Sequence, residues 1–201
     1  VHYVEYTAGF GLAVDPVTGK RFMNETANRK VRADAILALK HPALCICTLA
    51  NAKKHTPALR LQKAMENGSV KSYDTIEELA KAYNMPLEAF REQLKTWNEC
   101  IRSRKDPEFG AKIFEDAEVN ETGPFLVSRL WPRAHHTMGG LIINTKAQVL
   151  NAFGEPIPGL WAAGEATGGV HGEVRLGTVA IADCIVFGRI AGQSASASAI
   201  V

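Results

Sequence analysis

A glycine-rich stretch at residues 164–177, GEATGGVHGEVRLG, constrains the fold more than any other part of the sequence. It follows a short apolar run at residues 159–164, which predicts a buried strand, and it precedes small residues that predict a helix over 178–192. A glycine-rich loop that leads into a helix presents free backbone N–H groups at the positive end of the helix dipole, where anions bind. Small side chains also let a flat ligand or another backbone approach closely. We therefore predict a ligand site in this region.

The rest of the chain predicts a mixture of helices and strands. Residues 9–22 predict a hairpin whose turn begins at Asp15 and Pro16. Apolar residues at helical spacing and capping residues predict helices over residues 24–40, 74–84 and 86–101. A strand is predicted over residues 124–132, and a hairpin over 140–145 with 148–151. This order indicates an α+β or α/β protein, while residues 41–69 stay unassigned.

Composition excludes several classes of function. The 23 basic and 21 acidic residues are scattered, so no basic stripe indicates a nucleic acid partner. No apolar run approaches the about 20 residues of a membrane helix, and the first residues lack the pattern of a signal peptide. We expect a soluble protein without a membrane span, and the sequence leaves periplasm and cytoplasm open as its compartment.

Metal binding is not predicted. The four cysteines are expected to be reduced packing residues: Cys45, Cys47, Cys100 and Cys184. The first two form a CxC pair, but no second pair follows at the spacing of a zinc site. Neighbouring residues of a strand point to opposite faces, so His135 and His136 would not chelate one ion.

Histidines and arginines could instead bind a carboxylate. His135 and His136 directly precede the flexible end of HHTMGG, beside exposed backbone, although vicinal histidines are also common surface residues. Arg29 and Arg175 carry the planar donor fork that suits a carboxylate. Most arginines are solvated, however, and spacing alone does not connect these two.

Three segments of the chain resemble the soluble FAD-dependent fumarate reductases, a family that includes flavocytochrome c and urocanate reductases. Residues 135–177, from HHTMGG to VHGEVRLG, resemble the C-terminal segment of the flavin domain, and GKRFMNETANR resembles the stretch that carries the catalytic arginine. Residues 72–110 are similar to the mobile clamp, or capping, domain. The resemblance implies a hairpin on the flavin-domain side over 1–22, a helix-rich clamp over 23–125, and the C-terminal part of a Rossmann-like FAD-binding domain over 126–201.

The resemblance also implies an activity and roles for residues. The reaction would be FAD-dependent reduction of a carbon–carbon double bond conjugated to a carboxylate, as in fumarate, urocanate or an aryl acrylate. Hydride from flavin N5 would reach one alkene carbon and Arg29 would protonate the other. His135 and Arg175 would hold the substrate carboxylate, and Glu5 would belong to the proton-delivery path. The cofactor would contact His136, Gly164, Glu165, Ala180 and Ile181.

The chain departs from the family pattern in three places. It lacks the GxGxxG motif that binds the dinucleotide, so we expect an N-terminal flavin-domain polypeptide, a separate chain or a cleaved half, to complete the FAD site. Ala8 replaces an arginine of the proton relay and Val4 replaces a threonine. Thr178 and Val179 replace a glycine and an asparagine of RLGGNA.

These departures leave the substrate and the direction of the reaction open. They favour a bulkier monocarboxylate at least as much as fumarate, with Tyr3, Tyr6 or Phe10 as packing surfaces. An electron donor is required as a further partner. The alternatives are a dehydrogenase or oxidase of the same family that works in the opposite direction, and a flavoprotein subunit without catalysis.

Overall fold

A five-stranded antiparallel sheet organises the first half of the structure. The computed structural model describes residues 8–198, which form one unit over 8–132 and a second over 133–198. The strands of the sheet are Leu12–Asp15 (β1), Lys20–Arg21 (β2), Ala43–Thr48 (β3), Lys71–Tyr73 (β4) and Phe125–Leu130 (β5). Their order across the sheet is β2-β1-β3-β5-β4, and every neighbouring pair is antiparallel.

The hairpin predicted near the start of the chain is confirmed by the pairing of β1 with β2. Val14 lies opposite Arg21, and the turn closes through a 2.8 Å hydrogen bond from the amide of Gly19 to the carbonyl of Asp15. Gly19 has a φ of +71°, and a Cβ at this position would lie 3.0 Å from the carbonyl oxygen of Pro86. Both the backbone conformation and the close approach require glycine here.

Strand β3 forms the centre of this unit. It pairs with β5 over six residues, from Ala43 opposite Leu130 to Thr48 opposite Phe125, and every residue of β3 is buried. A strand that is covered on both faces has a continuous apolar sequence rather than an alternating one, as ALCICT has. The cysteines Cys45 and Cys47 of this strand are buried free thiols.

Among residues 8–132, five helices accompany the sheet: Arg29–Ala38 (α1), Leu49–His55 (α2), Ala58–Glu66 (α3), Ile76–Tyr83 (α4) and Leu87–Ser103 (α5). Helix α4 begins with the predicted capping arrangement, because Thr75 Oγ1 accepts from the amide of Glu78 while Glu78 Oε2 accepts from the amide of Asp74. Helix α5 begins directly after Pro86. Apolar spacing predicts one buried stripe on it, of which Leu87 is partly buried and the other four residues are buried: Phe90, Leu94, Trp97 and Ile101.

Helix α1 is shorter than the sequence predicted. It begins at Arg29, after the N-cap Asn28, rather than at residue 24. The side-chain oxygen of Asn24 accepts from the amide of Thr26 at 2.8 Å, a local turn that competes with helix formation.

The second unit contains a two-stranded antiparallel sheet, a short 3-10 helix and a long helix. Its elements are Gln148–Leu150 (β6), Pro156–Trp161 (β7), the 3-10 helix Gly164–Ala166 and Val179–Ser198 (α6). The predicted hairpin at 140–151 is reduced to a bridge between Ile143 and Val149, since β6 takes β7 as its partner.

The strand predicted at 159–164 is present over residues 159–161, which end β7, but the prediction that it is buried is wrong. Strand β7 ends at Trp161 and is mostly exposed, with Leu160 41% accessible, because β6 is its sole strand partner among the described residues. The mixed α+β architecture predicted from the sequence is confirmed. Within residues 8–198, no helix combines the length and apolar character needed to cross a membrane.

Candidate active site

The glycine-rich segment of the second unit docks against the residues that follow the histidine pair. The amide of Leu141 donates to the carbonyl of Ala166 at 2.9 Å, and the amide of Gly168 donates to the carbonyl of Leu141 at 3.0 Å. A Cβ on Gly140 would lie 2.5 Å from the carbonyl oxygen of Ala166. The glycine is therefore required by the approach of two backbones, which brings the histidine pair close to the 3-10 helix.

Glu165 connects these two segments. Its Oε1 accepts from the amide of Thr137 at 2.9 Å, and its Oε2 lies 3.4 Å from Nδ1 of His136. The hydrogen bond from the amide of Thr137 lowers the pKa of Glu165, and the nearby imidazole of His136 lowers it further. Desolvation raises this pKa, but by less than the hydrogen bond lowers it. Glu165 is therefore ionised at neutral pH, beside a His136 side chain that is only 7% exposed.

A second carboxylate–imidazole pair lies next to the first. Nε2 of His171 is 3.2 Å from Oδ2 of Asp183, and both side chains are buried. The rings of His136 and His171 meet edge to face with their centroids 5.4 Å apart. His171 lies within the glycine-rich segment 164–177 that the sequence singles out, whereas Asp183 was not predicted. The sequence signal for Asp183 is that it is the one acidic residue of helix α6.

The predicted carboxylate-binding residues lie in the same unit. Arg175 is buried, and its Nη1 donates to the carbonyl of Leu176 at 3.0 Å. His135 is exposed and directly precedes His136. The structure thus brings Gly164, His136 and Glu165 together, while Ala180 and Ile181 lie in the first turn of α6.

The remaining predicted site residues belong to the first part of the chain. Arg29 is the first residue of α1, and the N-cap Asn28 accepts from the amide of Val31 at 3.0 Å. Glu5 lies outside the described residues, as do Tyr3 and Tyr6. The expectation that Phe10 is a packing surface for substrate is wrong, because Phe10 is 1% exposed and stacks on His55 with ring centroids 4.4 Å apart.

A buried charge cluster in the first unit was not predicted. Arg21 binds Glu25 at 2.6 Å and Asp106 at 3.0 Å, and its guanidinium lies 4.3 Å from the centroid of the Trp97 ring. Burial alone would lower the pKa of Arg21, but the bonds to the two carboxylates raise it. The sequence signal is the spacing of Arg21 and Glu25 by four residues, whereas nothing in the sequence connects them to Asp106. Residues 8–198 hold no group of three or more His, Cys, Asp or Glu side chains arranged to bind a metal ion.

The chain is a flavoprotein of mixed α+β fold. The FAD binding domain family matches residues 8–181, and the chain belongs to this family. FAD is accordingly its cofactor.

Known proteins of this type are similar to nearly the whole chain. The acrylate reductase flavoprotein subunit of Shewanella woodyi is 38% identical over 199 residues, which cover 96% of this chain and 39% of that protein. The urocanate reductase of Eggerthella lenta is 34% identical, over 90% of this chain and 30% of its own length. The open conformation of a flavocytochrome c3 fumarate reductase matches with a TM-score of 0.76 at 36% identity, over 100% of this chain and 35% of that one. The predicted family resemblance is confirmed, and the chain spans about two fifths of the first relative's length.

The residues of the second unit fit a bound flavin. Arg175 Nε and Asp183 Oδ1 are buried polar atoms with no hydrogen-bond partner among residues 8–198, and such atoms are costly unless a ligand supplies a partner. Ile181 is 65% exposed next to Ala180, which offers apolar contact to a flat ring. At Gly169 no described atom outside the glycine and its two chain neighbours lies within 4 Å of the position that a Cβ would take, so a ligand has room beside this backbone.

Proposed function

We propose that this chain forms the substrate clamp and part of the flavin site of an enzyme that reduces a carbon–carbon double bond conjugated to a carboxylate. The observation that carries the proposal is the similarity of 96% of the chain to an acrylate reductase flavoprotein subunit. Relatives named fumarate and urocanate reductases support the same class of substrate. In this proposal residues 23–125 form the clamp and residues 126–201 the flavin-domain part.

The substrate is held and protonated by residues of this chain. His135 and Arg175 bind the carboxylate, which polarises the alkene and restricts its orientation. Bound FAD supplies the hydride. Arg29 donates a proton to the alkene carbon that does not receive the hydride.

An arginine is an unusual acid because its pKa exceeds about 12. The developing carbanion at the second alkene carbon is more basic still, so the proton transfer runs downhill once a relay returns a proton to Arg29. Glu5 belongs to this relay in our proposal.

The cofactor is held by two groups of residues. Ala180 and Ile181 contact the flat face of the ring, while His136, Gly164 and Glu165 line its polar side. The ionised Glu165 favours a proton on Nδ1 of His136, because its Oε2 lies 3.4 Å from that nitrogen.

A companion polypeptide completes the FAD site in this proposal. Helix α6 supports this, because within the described chain its sole buried residue is Asp183. Its exposed apolar residues are Val179, Ile181, Ile185 and Val186. Val179 and Val186 lie on one side of this helix and Ile181 and Ile185 on the other, so burial of both sides requires further partners, which fits the flavin and an N-terminal flavin-domain polypeptide that carries the GxGxxG motif. An electron donor for the flavin is the other partner.

The test uses the FAD-loaded holoprotein, reduced anaerobically with dithionite. Mixing with acrylate, fumarate, urocanate or cinnamate should reoxidise the flavin with at least one of them, as followed by flavin absorbance. Reoxidation by none of the four would indicate a subunit without this activity.

The role of Arg29 has its own variant. Arg29→Lys should lower turnover by about three decades or more without loss of FAD, since the acid would be displaced. Arg102→Lys is the matched control, because Arg102 is an exposed arginine of α5 paired with Glu121. Near-normal turnover of Arg29→Lys would exclude Arg29 as the acid.

A further inference from the structure

The segment that leads into Arg29 is anchored through a buried carboxylate. Glu25 is 0% exposed, and its Oε1 accepts from the amide of Ala13 at 2.9 Å and from Nε of Arg21 at 2.9 Å. Its Oε2 accepts from Nη2 of Arg21 at 2.6 Å. The side chain of Glu25 therefore joins this segment to strand β1 and to the guanidinium of Arg21, the last residue of β2.

The residues on either side of Glu25 are anchored as well. Nδ2 of Asn24 donates to the carbonyl of Phe109 at 3.1 Å, and the amide of Lys112 donates to Oγ1 of Thr26 at 2.8 Å. Three consecutive residues thus bind two parts of the first unit: Glu25 binds strands β1 and β2, while Asn24 and Thr26 bind residues 109–112. Their positions leave little freedom to the backbone that enters α1.

The guanidinium of Arg21 is itself held rigidly. It lies 4.3 Å from the ring centroid of Trp97 and 5.1 Å from that of Phe109. Asp106 binds it through Oδ2 at 3.0 Å and accepts from the amide of Ala111 at 3.0 Å. We call Arg21, Glu25 and Asp106 the charge lock.

The charge lock continues into helix α1. Nη1 of Arg32 donates to the carbonyl of Glu25 at 3.3 Å, which ties the first turn of α1 back to the lock. Buried ion pairs are weak stabilisers compared with apolar residues of equal volume, but they specify one geometry. Proton transfer is sensitive to such geometry, because a misplacement of about 1 Å can lower a rate about 100-fold.

We propose that Arg21 and Glu25 are positioning residues for Arg29: the charge lock fixes the backbone from which Arg29 donates its proton. This inference rests on the proposed function, in which Arg29 is the acid. Neither residue is expected to touch the substrate.

Glu25→Gln tests the proposal in the FAD-loaded holoprotein. The amide keeps the size of the side chain and can still accept from Ala13, but it loses the charge that pairs with Arg21. We expect kcat to fall about 10-fold to 100-fold while KM changes by less than about 2-fold. The solvent deuterium isotope effect on kcat should rise, because proton donation becomes slower than the other steps.

Two further variants separate positioning from stability. Thr26→Val removes the anchor to Lys112 without burying or exposing a charge, so it should fold and lower kcat in the same direction. Asn98→Ala is the matched control, because Asn98 is buried on α5 and binds the backbone of Asn120 at 2.6 and 3.3 Å. It should destabilise the protein and leave kcat unchanged.

Amide hydrogen exchange provides a readout that does not depend on turnover. Exchange of residues 24–31 should become faster in Glu25→Gln and in Thr26→Val, and stay as in the parent protein in Asn98→Ala. Equal exchange in all three variants, or a kcat in Glu25→Gln no lower than in Asn98→Ala, would overturn the positioning role alone. Retained turnover in Arg29→Lys would overturn this inference and the assignment of Arg29 together.

Discussion

Replacing Arg21 by methionine keeps most of the side-chain volume beside Trp97 but removes the charge that Glu25 and Asp106 share. All three side chains of the lock are 0% exposed. Removing one partner of a buried ion pair typically destabilises a protein by about 3–5 kcal/mol, because a buried charge is left without compensation. Arg21→Met leaves two carboxylates without their cation, but the backbone amides of Ala13 and Ala111 still donate to them and offset part of the cost. We therefore expect the free energy of unfolding to fall by about 3–5 kcal/mol near neutral pH.

The loss of unfolding free energy in Arg21→Met should become smaller as the pH falls. In the parent protein burial by itself would raise the pKa of Asp106, but the bonds from Arg21 and the amide of Ala111 outweigh it and lower the pKa below its ordinary 3.8. A carboxyl group with a lowered folded pKa contributes stability above its unfolded pKa and loses it as the pH falls through the folded pKa. Without Arg21, burial dominates and raises the pKa of Asp106. Protonation of Asp106 at mildly acidic pH then removes the cost of a buried, unpaired charge in the variant.

Urea unfolding of parent and variant, followed by far-UV circular dichroism at about pH 7 and about pH 4, measures both effects. The difference in unfolding free energy should be largest at neutral pH and shrink in acid. The control Arg102→Met breaks the exposed pair with Glu121 and should cost less than about 1 kcal/mol. A cost below about 1 kcal/mol for Arg21→Met at neutral pH, or an equal cost at both pH values, would refute the assignment of a buried charge lock.

Three other substitutions test the fold. Asn120→Ala removes the hydrogen-bond acceptor of the Thr48 amide and of Asn51 Nδ2, and the donor to the carbonyl of Phe10. Urea unfolding should therefore show an unfolding free energy lower by about 3 kcal/mol. Thr75→Ala removes the N-cap of α4, and we expect a loss of about 1 kcal/mol in the same assay. Gly164→Ala places a Cβ 2.8 Å from Cys184 Sγ at a φ of +68°, so it should lower the melting temperature. The double variant with Cys184→Ala should recover only part of that melting temperature, because the left-handed backbone still costs about 1–2 kcal/mol.

Elements with local signals were predictable from the sequence. The capping residues Thr75 and Glu78 located the start of α4, and the apolar spacing through Trp97 located α5 together with its buried face. These signals lie within a few residues of the structure that they specify. The hairpin at Asp15 is of the same kind, because its turn is closed by local bonds.

Elements that depend on distant partners were not predictable. Strand β3 has a continuous apolar sequence without periodicity, so its neighbours β1 and β5 decide its structure. Asp106 binds Arg21 across 85 residues of sequence, and no pattern joins the two. Asp183 was not predicted although it is the one acidic residue of α6. Its pairing with His171 forms only when the glycine-rich loop folds back on α6.

The exposed apolar residues of α6 have a consequence for the cellular stability of the polypeptide. The exposed isoleucines and valines lie within residues 179–186, the first two turns of α6. Exposed apolar segments of this kind are recognised by chaperones and proteases. Under the proposal that a separate companion polypeptide completes the FAD site, this chain synthesised without that companion should aggregate or be degraded, and its abundance should follow that of the companion. Depletion of the companion in the source organism, followed by quantification of this chain, would measure that dependence.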